Sequence, residues 1–282
     1  DEDISPLFVN PTNVPEHRLV PAEREITVHD ILTHTSGIAS GGLGNAVSED
    51  AVMWLDTRTS LATNVPKYGD IVLDFQPGDR WRYSAATALD VIARIIEIES
   101  GLSFDEFVQQ RIFEPLGMND TWWNVPEEYQ DRLIDIVGSD TATPPNSAIY
   151  DTSHSTYFGA SYGLKSTAGN YLRFEQMLVN GGELFGNRLL KPQTVELMSS
   201  NQVGDLFNAM PGVSDQGFGY TVATTEESNE RRSKGAFGWG GALGTRSWSD
   251  PVEELTAVIM IQQPVPTVQS DFEKAVQQAI IN

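Results

Sequence analysis

Beyond about residue 215 the apolar spacing of this chain changes from helical to alternating, and that change fixes much of what it can fold into. Gly217 to Thr224, Gly235 to Trp239, Gly244 to Ser249 and Leu255 to Gln262 read as strands of period two. The connections between them are short, which favours an antiparallel meander, because parallel neighbours need a long crossover. Leu255 to Ile261 is almost wholly apolar, the pattern of a strand covered on both faces. Ser270-Asp271-Phe272-Glu273 has the form of a capping box and predicts a terminal helix over Phe272 to Ile281.

Upstream the spacing is helical. Thr27 can cap a short helix, Val28 to Thr33, that stops before a Ser36-Gly37 turn. Glu49 to Leu61 has helical spacing, and Ile71 to Phe75 is a short strand candidate. Ala86 to Glu99 places Leu89, Ile92, Ala93 and Ile96 on one stripe and ends at Gly101. Ser103 and Glu106 form a capping box opening a helix that closes near Pro115-Leu116-Gly117. Trp122 to Ala160 reads mostly as loop. Ser166 or Thr167 caps a helix through Val179 with Tyr171, Phe174, Met177 and Leu178 inward, and Pro192 opens another through Met198. The expected composite is α/β (α+β): one domain over 1–282, with a helical region at about 26–200 and a sheet plus terminal helix at about 215–282.

Charge and composition exclude several functions. Eighteen basic against 39 acidic residues give a net charge of −21, a field that repels nucleic acid and anionic membrane surfaces. There is no cysteine, so disulfides, thiolate chemistry and cysteine-held zinc or iron–sulfur sites are excluded. A cysteine-free chain suits an oxidising compartment, and a periplasmic or secreted location is the expectation. No apolar run reaches the roughly 18 residues of a membrane span. His29 and His34 are five apart, unlike the pair of a helical zinc site, and read as structural. Ser36 reads as turn chemistry. No metal or organic cofactor is implied.

Phe237 to Thr245 packs four glycines and two aromatics into nine residues. Glycine in a strand marks close approach of a backbone or a ligand, and Trp239 beside it could wall an acyl pocket lined by backbone N–H groups. A bulged or tightly packed strand explains the same pattern. Gly159-Ala160-Ser161-Tyr162-Gly163 matches a nucleophile elbow, but all four histidines lie upstream of it, where that chemistry needs one downstream.

Five segments together carry a resemblance. They are Ile26 to Gly37 (with His34-Thr35-Ser36-Gly37), Tyr83-Ser84-Ala85, Ile112 to Met118, Gly163-Leu164-Lys165-Ser166-Thr167, and Gly238-Trp239-Gly240-Gly241 followed by Asp250-Pro251. In this order and spacing the chain resembles the serine β-lactamase-like hydrolases: class C β-lactamases, penicillin-binding DD-peptidases and related esterases and acyltransferases. The resemblance implies an acyl-enzyme mechanism with Tyr83 as the catalytic general base. Trp239-Gly240-Gly241 would take the place of Lys-Thr-Gly at the substrate, and the Ala242 N–H would serve as an oxyanion donor. Ala85 stands where an Asn is common, and Trp239 replaces a cation. Both point to an uncharged small-molecule ester or amide rather than a β-lactam, although Arg246 is near enough in sequence to bind an anion.

The family's Ser-x-x-Lys nucleophile is absent: none of Lys67, Lys165, Lys191, Lys234 and Lys274 has a Ser three residues before it. Residue 1 is Asp, and no Met occurs before Met53. One expectation is therefore that a separate N-terminal segment before Asp1 carries the nucleophile. The alternative is a catalytically inactive relative that binds a cell-wall or acyl ligand.

Overall fold

A computed structural model describes residues 14, 16–48, 59–134, 155–263 and 265–280. The chain divides into two compact units, Asp1–Phe107 with Ala148–Gly163, and Val108–Ser147 with Leu164–Asn282.

In the first unit the helices are α1 (Val28–Leu32), α2 (Leu43–Val47), α3 (Leu61–Asn64), α4 (Ala88–Ser100) and the start of α5 (Phe104–Val108). Thr27 caps α1 as its sequence predicts: its hydroxyl accepts from Asp30 N–H, and the Asp30 carboxylate accepts from Thr27 N–H at 2.8 Å. Arg24 also grips that carboxylate (2.7 Å), and the charged hydrogen bonds hold Asp30 well below the usual carboxylate range. Gly101 ends α4 in the left-handed conformation, and Glu106 reaches back to the Ser103 N–H. The helical run expected at Glu49 to Leu61 falls almost wholly outside the described residues. Ile71 to Phe75 does not become a strand. Its polar groups go singly to different partners: Asp74 N–H to Gly37 O, Val72 N–H to the Ser48 hydroxyl, and the Asp74 carboxylate to Gly44 N–H.

The second unit holds α6 (Glu114–Leu116), α7 (Ala168–Val179), a small hairpin of β1 (Glu183–Leu184) and β2 (Asn187–Arg188), and α8 (Pro192–Ser199). It then holds β3 (Gln216–Phe218), β4 (Ala223–Thr225), β5 (Phe237–Gly240), β6 (Arg246–Asp250), β7 (Leu255–Ile259) and α9 (Pro266–Gln278). Thr167 is the N-cap of α7 and Pro192 sits in the first turn of α8, both as predicted. The meander is present: β3-β4-β5-β6-β7, every neighbour antiparallel.

Two expectations need correction. Gly217 to Thr224 is not one strand but a hairpin of β3 and β4, turned at Gly219 to Val222 with Thr221 at φ 66. The terminal helix starts at Pro266, not Phe272. Proline lacks the N–H that a first-turn residue would leave unpaired anyway. Glu273 is then mid-helix, and its carboxylate holds Arg232 (2.8 Å), Arg246 (3.1 Å) and Arg231 (3.5 Å) instead of capping.

Strand alternation on β6 places one helix on each face of the sheet. Ser249 donates to Glu175 of α7 (2.7 Å), while Trp248 meets Phe272 of α9 edge-on (5.7 Å). Both helices pack on β7 as well, which is the two-sided cover its apolar sequence implies.

Candidate active site

Tyr83 lies just before α4, half-buried, in a segment whose neighbours are fixed by buried hydrogen bonds. The Arg82 N–H donates to His34 O (3.0 Å), and the Ser84 N–H donates to His34 Nδ1 (3.3 Å). The His34 ring meets the Tyr83 ring edge-on at 4.9 Å, and the Trp81 ring stacks parallel to Tyr83 at 6.5 Å. Burial alone holds the His34 imidazole well below its ordinary value, at about 4, so it is neutral at physiological pH. Nδ1 accepts a hydrogen bond, which leaves the proton on Nε2.

Next to Tyr83, three buried hydroxyls make a closed cluster. Ser84 and Thr87 are 2.8 Å apart, Ser40 and Thr87 2.9 Å, and Ser40 and Ser84 3.3 Å. Ser40 accepts from Ala86 N–H and Thr87 donates to Ala39 O, each at 2.9 Å. Ser36, an inviting serine in sequence, is only a turn residue: it is buried and accepts from Ile38 N–H at 3.2 Å. Ala85 is buried and has no side-chain hydrogen-bonding group.

Asp90 escaped sequence analysis. It is completely buried on α4, accepts from the Tyr157 hydroxyl, and accepts from Ser161 N–H at 3.0 Å. Desolvation raises its pKa against those hydrogen bonds. The Tyr68 and Tyr157 hydroxyls are 3.2 Å apart, and burial pushes Tyr68 up to about 12. The supposed elbow around Ser161 is therefore a loop latched to α4, with no helix beginning until Ala168. No sequence signal distinguished Asp90 from a solvated first-turn carboxylate.

Trp239, Gly240, Gly241 and Ala242 lie in the second unit and are brought together at the end of β5. Trp239 belongs to an aromatic cluster, edge-on to Phe218 at 5.4 Å and 6.5 Å from Phe207. The glycines divide the two readings of this stretch. A Cβ at Gly238 would collide with Ser247 O and Trp248 Cα, so that glycine serves strand packing. At Gly240 a Cβ would meet only Thr245 O, at 3.4 Å. β4 stops at Ala223, the partner of Gly238, so β5 runs two residues past it. Phe237, Trp239 and Gly241 face β6, where the Gly241 N–H donates to Thr245 O at 2.8 Å. By alternation, the Gly240 N–H and C=O face the side that β4 has left. Ala242 follows, exposed, in a turn closed by Gly244 N–H to Gly241 O at 3.0 Å. Arg246 is committed to Glu273 on α9.

The beta-lactamase family model matches residues 12–280. The chain belongs to the beta-lactamase family. Protein Rv1367c of Mycobacterium tuberculosis is 31% identical over 93% of this chain and 68% of its own length. Lovastatin esterase of Penicillium rubens is 28% identical over 65% of this chain and 46% of its own. Among solved structures, unliganded simvastatin synthase LovD of Aspergillus terreus superposes with a TM-score of 0.71 at 21% identity, covering 99% of this chain and 75% of that one. This beta-lactamase-family chain thus has both esterase and acyltransferase relatives, and it shares its α/β fold with LovD. Among the described residues, no helix is long and apolar enough to cross a membrane, and no group of three His, Cys, Asp or Glu could hold a metal ion.

Proposed function

We propose that this chain serves acyl transfer from an uncharged small-molecule ester; Tyr83 is the candidate general base of the first unit, and the end of β5 is the candidate acyl site of the second. The observation that carries the reading is the overhang of β5 beyond β4. It leaves the Gly240 N–H facing an unladdered edge and Ala242 exposed beside it, next to the apolar wall of Trp239, Phe218 and Phe207. Backbone donors beside an apolar wall suit a developing oxyanion and a hydrocarbon acyl group. The ester preference follows from what is lacking. Ala85 offers no amide to a substrate carbonyl, Trp239 offers no cation, and Arg246 is held by Glu273. The named activity of lovastatin esterase supports the same class.

In this scheme Tyr83 takes the proton of the attacking hydroxyl and returns it to the leaving alkoxide. No Ser-x-x-Lys pair stands in these 282 residues, so the assay is made on the protein as the cell produces it. A short-chain p-nitrophenyl ester should be hydrolysed faster than a chromogenic cephalosporin. Tyr83→Phe, which deletes only the phenolic oxygen, should lower kcat by about 10²–10⁴ with the fold intact. Full activity in that variant would remove Tyr83 as the base, and preference for the cephalosporin would overturn the substrate class. Ester binding without turnover in the wild type would make the protein an inactive acyl binder.

A further inference from the structure

We propose that His34 is the positioning residue for Tyr83, holding the phenol in place through both of its chain neighbours; the inference rests on the reading of Tyr83 as general base. The geometry is a clamp. The residue before Tyr83 bonds to the backbone of His34 (Arg82 N–H to O, 3.0 Å), and the residue after it bonds to the side chain (Ser84 N–H to Nδ1, 3.3 Å). Between these two anchors the imidazole edge meets the Tyr83 ring at 4.9 Å and an interplanar angle of 82°. The same imidazole meets Trp81 edge-on at 6.0 Å, and Trp81 stacks behind Tyr83. The imidazole therefore contacts Trp81, Tyr83 and Ser84, and the His34 carbonyl takes the Arg82 N–H between them, some fifty positions downstream.

The residue type follows from the site. His34 sits at φ 57, a conformation that costs most side chains strain but that His, Asn and Asp adopt more readily. It is buried to 2% exposure, so an acceptor lost there would leave the Ser84 N–H without water to replace it. It must also give a planar edge to Tyr83. Asn keeps the acceptor and tolerates the backbone; Phe keeps the planar edge and removes the acceptor. The Ser40, Ser84 and Thr87 hydroxyls complete the setting by fixing Ser84 from its other side. A general base misplaced by about 1 Å loses rate, and on this reading the loss falls on kcat rather than on KM.

The test pairs His34→Phe with His34→Asn in the protein as the cell produces it, assayed with a p-nitrophenyl ester. A second readout is the NMR signal of ring-¹³C-labelled tyrosine, with Tyr83 identified by the signal lost in Tyr83→Phe. His34→Phe should lower kcat by roughly 10- to 100-fold, with KM changed by less than about threefold, and should move the Tyr83 resonance. His34→Asn should restore kcat to within about fivefold of wild type. Wild-type kcat and an unmoved resonance in a folded His34→Phe protein would overturn the proposal. If the Phe variant does not fold, the Asn variant decides: a folded His34→Asn as slow as Tyr83→Phe overturns the acceptor role. Full activity in Tyr83→Phe would instead sink the base assignment, and the resonance would still report whether His34 places that ring.

Discussion

The neighbourhoods of Tyr83 and of Trp239 are held by different forces. Around Tyr83 the fixing contacts are buried and polar: His34 to Ser84, the Ser40-Ser84-Thr87 hydroxyls, and Asp90 to Tyr157 and Ser161. Around Trp239 they are strand ladders and apolar contacts among Phe207, Phe218 and Trp239. Hydrogen bonds are directional, and a buried one that is broken leaves the full desolvation cost of its partner. Apolar contact is additive over area and tolerates changes of shape at constant volume. The Tyr83 region should therefore be the more precise of the two and the more easily broken.

Same-volume substitutions test this most sharply. Asp90→Asn replaces an acceptor with an amide whose N–H₂ must either face the Ser161 N–H or make the Tyr157 hydroxyl turn to accept, and should cost about 1–3 kcal/mol in urea unfolding. A cost near zero would mean that the network stabilises little. Acidification should weaken the same region through His34. Its folded value, about 4, lies below the ordinary 6.5, so the unfolded chain binds the proton first. Stability from this group is complete above about pH 6.5 and is lost as pH falls towards about 4, roughly 2 kcal/mol by about pH 5. Asp90 and Glu175, both raised by burial, act in the opposite sense, because their folded carboxyls bind protons first. The His34 contribution is thus the difference between wild type and His34→Asn across the pH series; an unchanging difference would refute it. The smallest effect belongs to the sheet unit. Met177→Leu, in the fully buried face of α7, should cost less than about 1.5 kcal/mol. A larger loss would erase the contrast between the two regions.

How far the sequence alone reaches is visible at particular positions. The caps at Thr27, Ser103 with Glu106, Thr167 and Pro192 were legible because each involves residues a few positions apart. The meander was legible because alternation and short turns are also local. The box at Ser270 to Glu273 misled because its spacing is right but Pro266 starts the helix earlier, and Glu273 finds three arginines on other segments. Asp90 and Glu175 carry no local signal because their partners come from distant segments, Tyr157 and Ser161 for one and Ser249 for the other.

The candidate site divides in the same way. Tyr83, Trp239, Gly240, Gly241 and Ala242 were picked out by the order of short motifs, which the chain itself carries. Only the folded structure decided that Gly238 packs against β6 while Gly240 lies past the end of β4, and that Arg246 pairs with Glu273. Only it placed His34 against Tyr83. Capping and periodicity depend on a few neighbouring residues, so the sequence determines them. Which buried polar group meets which partner depends on where segments dozens of residues apart come to rest, and that is decided by the packing of the whole unit.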